Sequence, residues 1–214
     1  MLIDFSKVDS FYTDFQIDEL KKYLETMETL LKKELNDFKK RVNAAAKKIP
    51  NPQERNEYYE FYSDDYWRLD ETFVRMVRNS FFVMAFSFME DRLGDICDSL
   101  QKEHKMQFSW RDLRHDVLER ANLYIKSLMG EAPNTISVWE NIKNYQKLRN
   151  CIIHDNGEPQ DEGLISYAHK EGILPAGEER LFLTDSFCKQ CLDDFHTFFK
   201  ELYDSFYKRK QPAK

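Results

Sequence analysis

Glycine and proline are scarce in this chain, six of each in 214 residues. That is under half of the share of about 12% that soluble proteins give them, and it leaves too few turn formers for a strand-rich sandwich or barrel. The four cysteines are too sparse for a disulfide framework and are expected to remain thiols in a reducing compartment. No run approaches the roughly 20 apolar residues of a membrane span. The first residues, Met1-Leu-Ile-Asp-Phe-Ser6, carry neither a basic stretch nor a long apolar one. A soluble, non-secreted, cytoplasmic protein with no membrane partner is the expectation. Positive charge is also not in excess: 32 Lys and Arg stand against 38 Asp and Glu, a net charge of −6. The chain as a whole is therefore no nonspecific binder of polyanions, and a nucleic-acid contact needs a local basic patch. A phosphate-cradling glycine loop, a nucleophile elbow and a metalloprotease signature are all missing. The length suits one domain over 1–214.

What the chain does have is helical periodicity. Thr13-Asp-Phe-Gln16 has the capping-box pattern of a helix start. Ile17, Leu20, Leu24, Met27, Leu31, Leu35, Phe38, Val42 and Ala45 then recur every three or four residues, which predicts one amphipathic helix of about nine turns. Pro52 ends it and suits the first turn of a new helix capped by Asn51. A second helical segment over 52–104 is expected to break near Ser63-Asp64-Asp65, whose side chains compete for backbone hydrogen bonds. Within it, Phe81-Phe-Val-Met-Ala-Phe-Ser-Phe-Met89 is apolar all round but for one serine. A helix apolar on every side is buried on every side. In so short a chain this predicts one face on the bundle and the other on a partner subunit, hence a homodimer.

Ser109-Trp-Arg-Asp112 repeats the capping-box pattern and predicts a helix through Leu113, Val117, Ala121, Tyr124 and Leu128 to Gly130. Another is expected to open near Ser137 and to stop at Asn156-Gly157. The last follows an Asp185 cap, with Phe187, Cys191, Phe195, Phe198, Leu202 and Phe206 on one stripe. Between these two, Leu164-Ile-Ser-Tyr167 and Arg180-Leu-Phe-Leu-Thr184 read as strands of a small hairpin. The predicted fold is all-α, a bundle of four to five helices with a small β-hairpin insertion at 155–185 before the last helix. That insertion holds eight acids against Lys170 and Arg180, so it accounts for the whole net charge and the helical remainder is balanced. It reads equally as a gate or as a solubility feature.

The most informative segment is Tyr145-Gln-Lys-Leu-Arg149-Asn150-Cys151-Ile152-Ile153-His154-Asp155-Asn156-Gly157. Arg149, Asn150 and His154 are polar residues in an otherwise apolar helix end. Asn150 and His154 share a face, whereas Arg149 and His154 are five apart and about 140° around the axis. They do not converge within one helix, but they can where two such helices meet across a two-fold axis. A second reading has the three side chains bonding the last free carbonyls as an ordinary helix cap.

This pattern resembles the HEPN superfamily (higher eukaryotes and prokaryotes nucleotide-binding), whose signature is an Arg, often followed by Asn, Asp or His, and then a His four to six residues after the Arg at a helix end in an all-α bundle. The order of long helix, aromatic helix with Glu90, short helix, motif helix and final helix is similar as well. The resemblance implies a metal-independent endoribonuclease acting as a homodimer on RNA, often a toxin or antiviral-defence effector with an antitoxin or regulatory protein as partner, and no cofactor. Arg149 and His154 are the implied catalytic residues and Asn150 a supporting one. Histidine exchanges protons near neutral pH and arginine offers a fixed cationic fork to a phosphorane-like transition state. One subgroup of the family carries a Tyr two residues after the His; Asn156 stands there, so the modification directed at that Tyr is not expected.

Glu90 falls on one line of its helix with Val83, Phe86 and Cys97, a carboxylate pointing into apolar surroundings. Such a group needs a cation, and Arg149 is the first candidate; the alternative is an edge position paired with Arg92 or water. Lys39, Lys40, Arg41 and Lys147 are candidate RNA contacts, the first three within a run that continues to Lys47 and Lys48 without an acid; Lys208-Arg-Lys210 with Lys214 is a second basic run. Cys188-Lys-Gln-Cys191 lacks a second pair and reads as core, so no metal site is expected. Asp112/His115 and Asp193/His196 have the spacing of di-iron bundles but read as surface. Beside the ribonuclease stand a non-catalytic HEPN-like bundle that binds RNA, a nucleotide or a protein partner, and a metal-carboxylate bundle.

Overall fold

Helix is what a chain poor in turn formers and rich in 3.6-residue periodicity should adopt, and among the described residues there is no strand. The computed structural model describes residues 5–130 and 132–210, with side chains described for 9–130 and 132–207. Eight α-helices occur in that range: α1 (Phe5–Ala46), α2 (Pro52–Phe61), α3 (Ser63–Trp67), α4 (Phe73–Glu103), α5 (Val117–Met129), α6 (Trp139–His154), α7 (Glu162–Lys170) and α8 (Asp185–Lys210). A single π-helical turn, Arg68–Thr72, joins α3 to α4. The count exceeds the expected four to five because the 52–104 segment divides into three helices and because α7 replaces the expected hairpin.

Several boundaries follow from the predicted chemistry. Asn51 Oδ1 accepts from the Gln53 N–H and Pro52 fills the first turn of α2. Gly130 closes α5 in the left-handed region, φ 70°. Others differ. Thr13 does not begin α1, which is already helical from Phe5; its hydroxyl donates to the Asp9 carbonyl one turn back and meets Tyr203 Oη at 3.2 Å. The Ser109/Asp112 capping box forms, but it closes only a one-turn 3-10 helix, and Asp116 caps α5. At α8 the cap is Thr184, whose Oγ1 accepts from Phe187 N–H, and Asp185 is the first helical residue.

The expected hairpin is absent for a physical reason. Asp161 accepts from Leu164 N–H as an N-cap, and Leu164 and Ala168, one turn apart, bury their side chains, so the first candidate strand is the body of α7. Residues 180–184 form no regular element; Leu181 N–H bonds Gly157 O and Phe182 N–H bonds Ile173 O, which is no strand ladder. With α7 in place, α6 is no longer the penultimate helix.

The chain forms two compact units, 22–81 and the remainder. In unit 22–81, Arg78 grips Glu28 with two bonds, Nε at 2.6 Å and Nη2 at 2.9 Å, and Glu28 is 4% exposed. In the other unit, every residue of the predicted α8 stripe is buried. Against that stripe lie Phe82 and Phe86 of α4 and Tyr145 of α6, with Tyr145 meeting Phe82, Phe187 and Phe195 ring to edge. The apolar α4 segment is not buried all round: Met84 is exposed and Val83, Ser87 and Phe88 are half-buried.

One carboxylate interrupts this core. Asp194 is 4% exposed, and its Oδ2 accepts from Tyr145 Oη at 2.6 Å and Asn141 Nδ2 at 2.9 Å, while Oδ1 accepts from Gln190 Nε2. Two of the three donors sit on α6, so the node fixes α6 against α8. Removing one donor from a buried acceptor costs about 1–3 kcal/mol. Tyr145→Phe is therefore expected to lower the urea unfolding free energy by about 2 kcal/mol; an unchanged midpoint contradicts the node's role.

Candidate functional site

The segment singled out in the sequence forms the last two turns of α6. Cys151 and Leu148 are buried toward the core, Arg149 is half-buried, and Asn150, Ile153 and His154 face water. The helix stops because Asn156 and Gly157 both turn left-handed, φ 54° and 78°, and the Gly157 N–H returns to the Cys151 carbonyl at 3.0 Å. Gly157 O in turn accepts from Leu181 N–H, which ties the chain before α8 to the end of α6.

Arg149 meets Glu90. Its Nη2 lies 3.4 Å from Glu90 Oε2, longer than a tight charge-assisted bond, and its Nη1 donates to Asn150 Oδ1 at 3.0 Å. The Nε of Arg149 is buried without a hydrogen-bond partner. Glu90 is thus paired as its position on the α4 line suggested. Arg92, the alternative partner, is engaged elsewhere: it donates to Thr13 and Tyr203 and forms an ion pair with Asp95 at 2.9 Å.

Burial pushes the Glu90 carboxyl above the usual glutamate range; the Arg149 cation opposes that, and Asp91 and Asp116 add to it. Arg120 is a second cation that favours the charged form. Asp116 and Arg120, from the start of α5, are neighbours of this pair that sequence reasoning missed. Their only signal was the N-cap position of Asp116, which reads as structural.

His154 finds no partner among the described residues. Within one chain it does not join Arg149: five residues apart on a helix, one leans to α4 and the other faces solvent. The thiols nearby are not nucleophiles. Burial raises Cys151 to about 11 and Cys97 to about 12, and pushes Cys191 well up. Cys188 and Cys191 are both buried, consistent with core. Asp112 bonds the Ser109 N–H, Asp193 pairs with Lys21 and His196 lies 3.4 Å from Asp14; no group of three or more metal-type side chains occurs among the described residues.

The candidate RNA-contacting cations belong to different units of the chain. Lys147 lies 3.8 Å from Asp161, both exposed. Lys39, Lys40 and Arg41 are in unit 22–81 and point about 100° apart in succession around α1. Lys40 is 3.8 Å from Asp37, and Lys39 covers the Tyr66 ring. The side chains of Lys208, Arg209, Lys210 and Lys214 lie outside the described residues. In the acidic segment, Glu158 pairs with Arg180 at 2.7 Å, Asp185 with Lys189 at 3.0 Å, and Asp161 is the α7 cap, so part of its charge is used to fold it.

A raised carboxyl pKa gives a signed expectation. The folded chain holds the Glu90 proton more tightly than the unfolded chain, so the stability contributed by Glu90 is full in acid and is lost as pH rises through its folded-state pKa. Relative to Glu90→Gln, the wild type is expected to lose stability in urea titrations as pH rises above the ordinary glutamate range, from about pH 4 upward. Carboxyl carbon NMR is expected to show the Glu90 pKa rising further in Arg149→Ala. A pH-independent stability difference, or a fall in that pKa, contradicts the pairing. Comparison of the chain with protein-family models, with curated proteins and with solved structures finds no match in any of the three.

Proposed function

We propose that this chain is a HEPN-like, metal-independent endoribonuclease that works as a homodimer, of the kind that serves as a toxin or antiviral-defence effector under an antitoxin or regulatory partner. The observation that carries the reading is the end of α6: an arginine oriented by Glu90 and Asn150, beside an exposed histidine with no partner among the described residues. The HEPN-type order of Arg149, Asn150 and His154 supplies the rest. In a dimer, one His154 takes the proton of an RNA 2′-hydroxyl. The 2′-oxygen then bonds to phosphorus, the P–O5′ bond breaks, and the second His154 protonates the departing 5′-oxygen. Arg149 balances the extra charge on the phosphorane-like transition state. The products are a 2′,3′-cyclic phosphate and a 5′-hydroxyl.

Support for the dimer is the apolar surface that one copy leaves in water, Met84 on α4 and Ile153 beside His154. The second reading, a non-catalytic bundle that binds RNA, a nucleotide or a protein, is favoured by one fact: both Nη atoms of Arg149 already donate within the chain. Cleavage separates the two. In EDTA, wild type is expected to cut single-stranded RNA. His154→Ala, with an unchanged circular-dichroism spectrum, is expected to lose about 10²-fold or more of the rate. Ile153→Asp is expected to shift the mass in light scattering from dimer to monomer and to lose activity with it. Binding without cleavage supports the second reading, and activity abolished by EDTA but not by His154→Ala supports a metal-carboxylate site instead.

A further inference from the structure

Unit 22–81 holds a groove of about 430 Å³ between α1 and the α2–α3 segment, bounded by Lys39 and Asn43 on one wall and by Tyr59, Tyr62 and Tyr66 on the other. Tyr62 is the structural ring of the set, in contact with Phe38, Tyr58 and Phe61 at centroid distances of 6.1, 5.0 and 5.1 Å. Tyr59 and Tyr66 are different: they are 40% and 38% exposed, so aromatic surface is left in water inside a concavity with room for a nucleobase and more. Tyr59 Oη donates to Asn43 Oδ1 at 3.2 Å, which orients the ring and leaves the Asn43 amide N–H₂ as a donor.

The charge in the groove is one-sided. Lys39 Nζ sits 4.9 Å from the Tyr66 ring centroid, and no acid lines the groove. Lys39, Asn43 and Lys47 repeat every four residues and share a face, and Lys47 N–H still bonds Asn43 O in helical fashion. Lys39 lines the groove, and Lys47 stands about 12 Å further along the same helix face, one turn beyond the lining residues. Asp65, beside Tyr66 in the chain, is paired with Arg68 at 3.1 Å.

These features select a ligand. A cation is a poor match, because the groove already places its own ammonium on a ring. An apolar peptide leaves Lys39 and the Asn43 amide unanswered. A flat base joined to a phosphate backbone uses the rings, the amide and Lys39, and a second lysine on the same helix face beyond the groove, Lys47, suits a strand better than a mononucleotide. We propose that this groove binds single-stranded RNA, with a base stacked against Tyr59 and Tyr66 and the backbone phosphates running along Lys39 and Lys47. That the polymer is RNA rests on the ribonuclease reading; the stacking and phosphate chemistry do not.

The test is anisotropy titration of a labelled ten-nucleotide single-stranded RNA at two salt concentrations, using the full chain carrying His154→Ala so that cleavage does not mask binding. Tyr59→Ala or Tyr66→Ala added to that background is expected to weaken binding about fivefold or more, and Tyr→Phe at either position to retain it. Lys39→Gln is expected to flatten the salt dependence by about one phosphate contact, and a duplex of the same length is expected to bind more weakly. Binding that ignores both Tyr→Ala changes, a preference for duplex, or displacement of the strand by choline overturns the proposal. Loss of cleavage in wild type with stacking-dependent binding intact counts against the α6 site alone.

Discussion

A carboxylate leaves water only when other donors replace its hydration, and Asp194 does so through three: Tyr145, Asn141 and Gln190. Hydrophobic packing brings α6 onto α8 but is non-directional. Hydrogen bonds to one buried acceptor are directional, and they fix how far α6 is rotated and how far it slides. Everything at the end of α6 inherits that setting. With Tyr145 turned to Asp194, Leu148 and Cys151 follow into the core, Arg149 leans to α4, and Asn150 and His154 are left facing water.

Two carboxylates of this unit, Asp194 and Glu90, use different solutions. Asp194 is satisfied by three neutral donors, Tyr145 from the core, the half-buried Asn141 and the exposed Gln190. Glu90 stands nearer the surface with a cation at 3.4 Å, a loose contact that orients the guanidinium without spending all of its N–H groups. Such a pair can release part of its charge to a phosphate, which a tight buried ion pair cannot do without a large desolvation cost. The segment 155–185 adds a further constraint, because Gly157 and Glu158 anchor Leu181 and Arg180 next to the end of α6.

Much of this was legible in the chain. The α8 stripe, the Asn51-Pro52 start, the Gly130 stop and the inward position of Glu90 follow from residue spacing; the structure then chooses Arg149 over Arg92 as its partner. Asp194 was missed, although it falls on the stripe of Phe187, Cys191 and Phe198, where a polar residue demands partners. The misreadings have physical causes. Capping-box strings also occur inside helices, where a threonine such as Thr13 bonds the carbonyl one turn back. Leu164-Ile-Ser-Tyr167 has the composition of a short strand, but Leu164 and Ala168 satisfy helical spacing equally, and Asp161 decides between them by capping. Arg92 could not be assigned from spacing because its partners, Thr13 and Tyr203, are distant in the chain.

The most direct test of catalysis at the end of α6 is product-end analysis on one strand made both as RNA and as DNA, incubated with the protein in EDTA. In-line attack by a 2′-hydroxyl predicts that the RNA is cut to 2′,3′-cyclic phosphate ends and that the DNA stays intact. Intact RNA, or RNA and DNA cut alike, contradicts it.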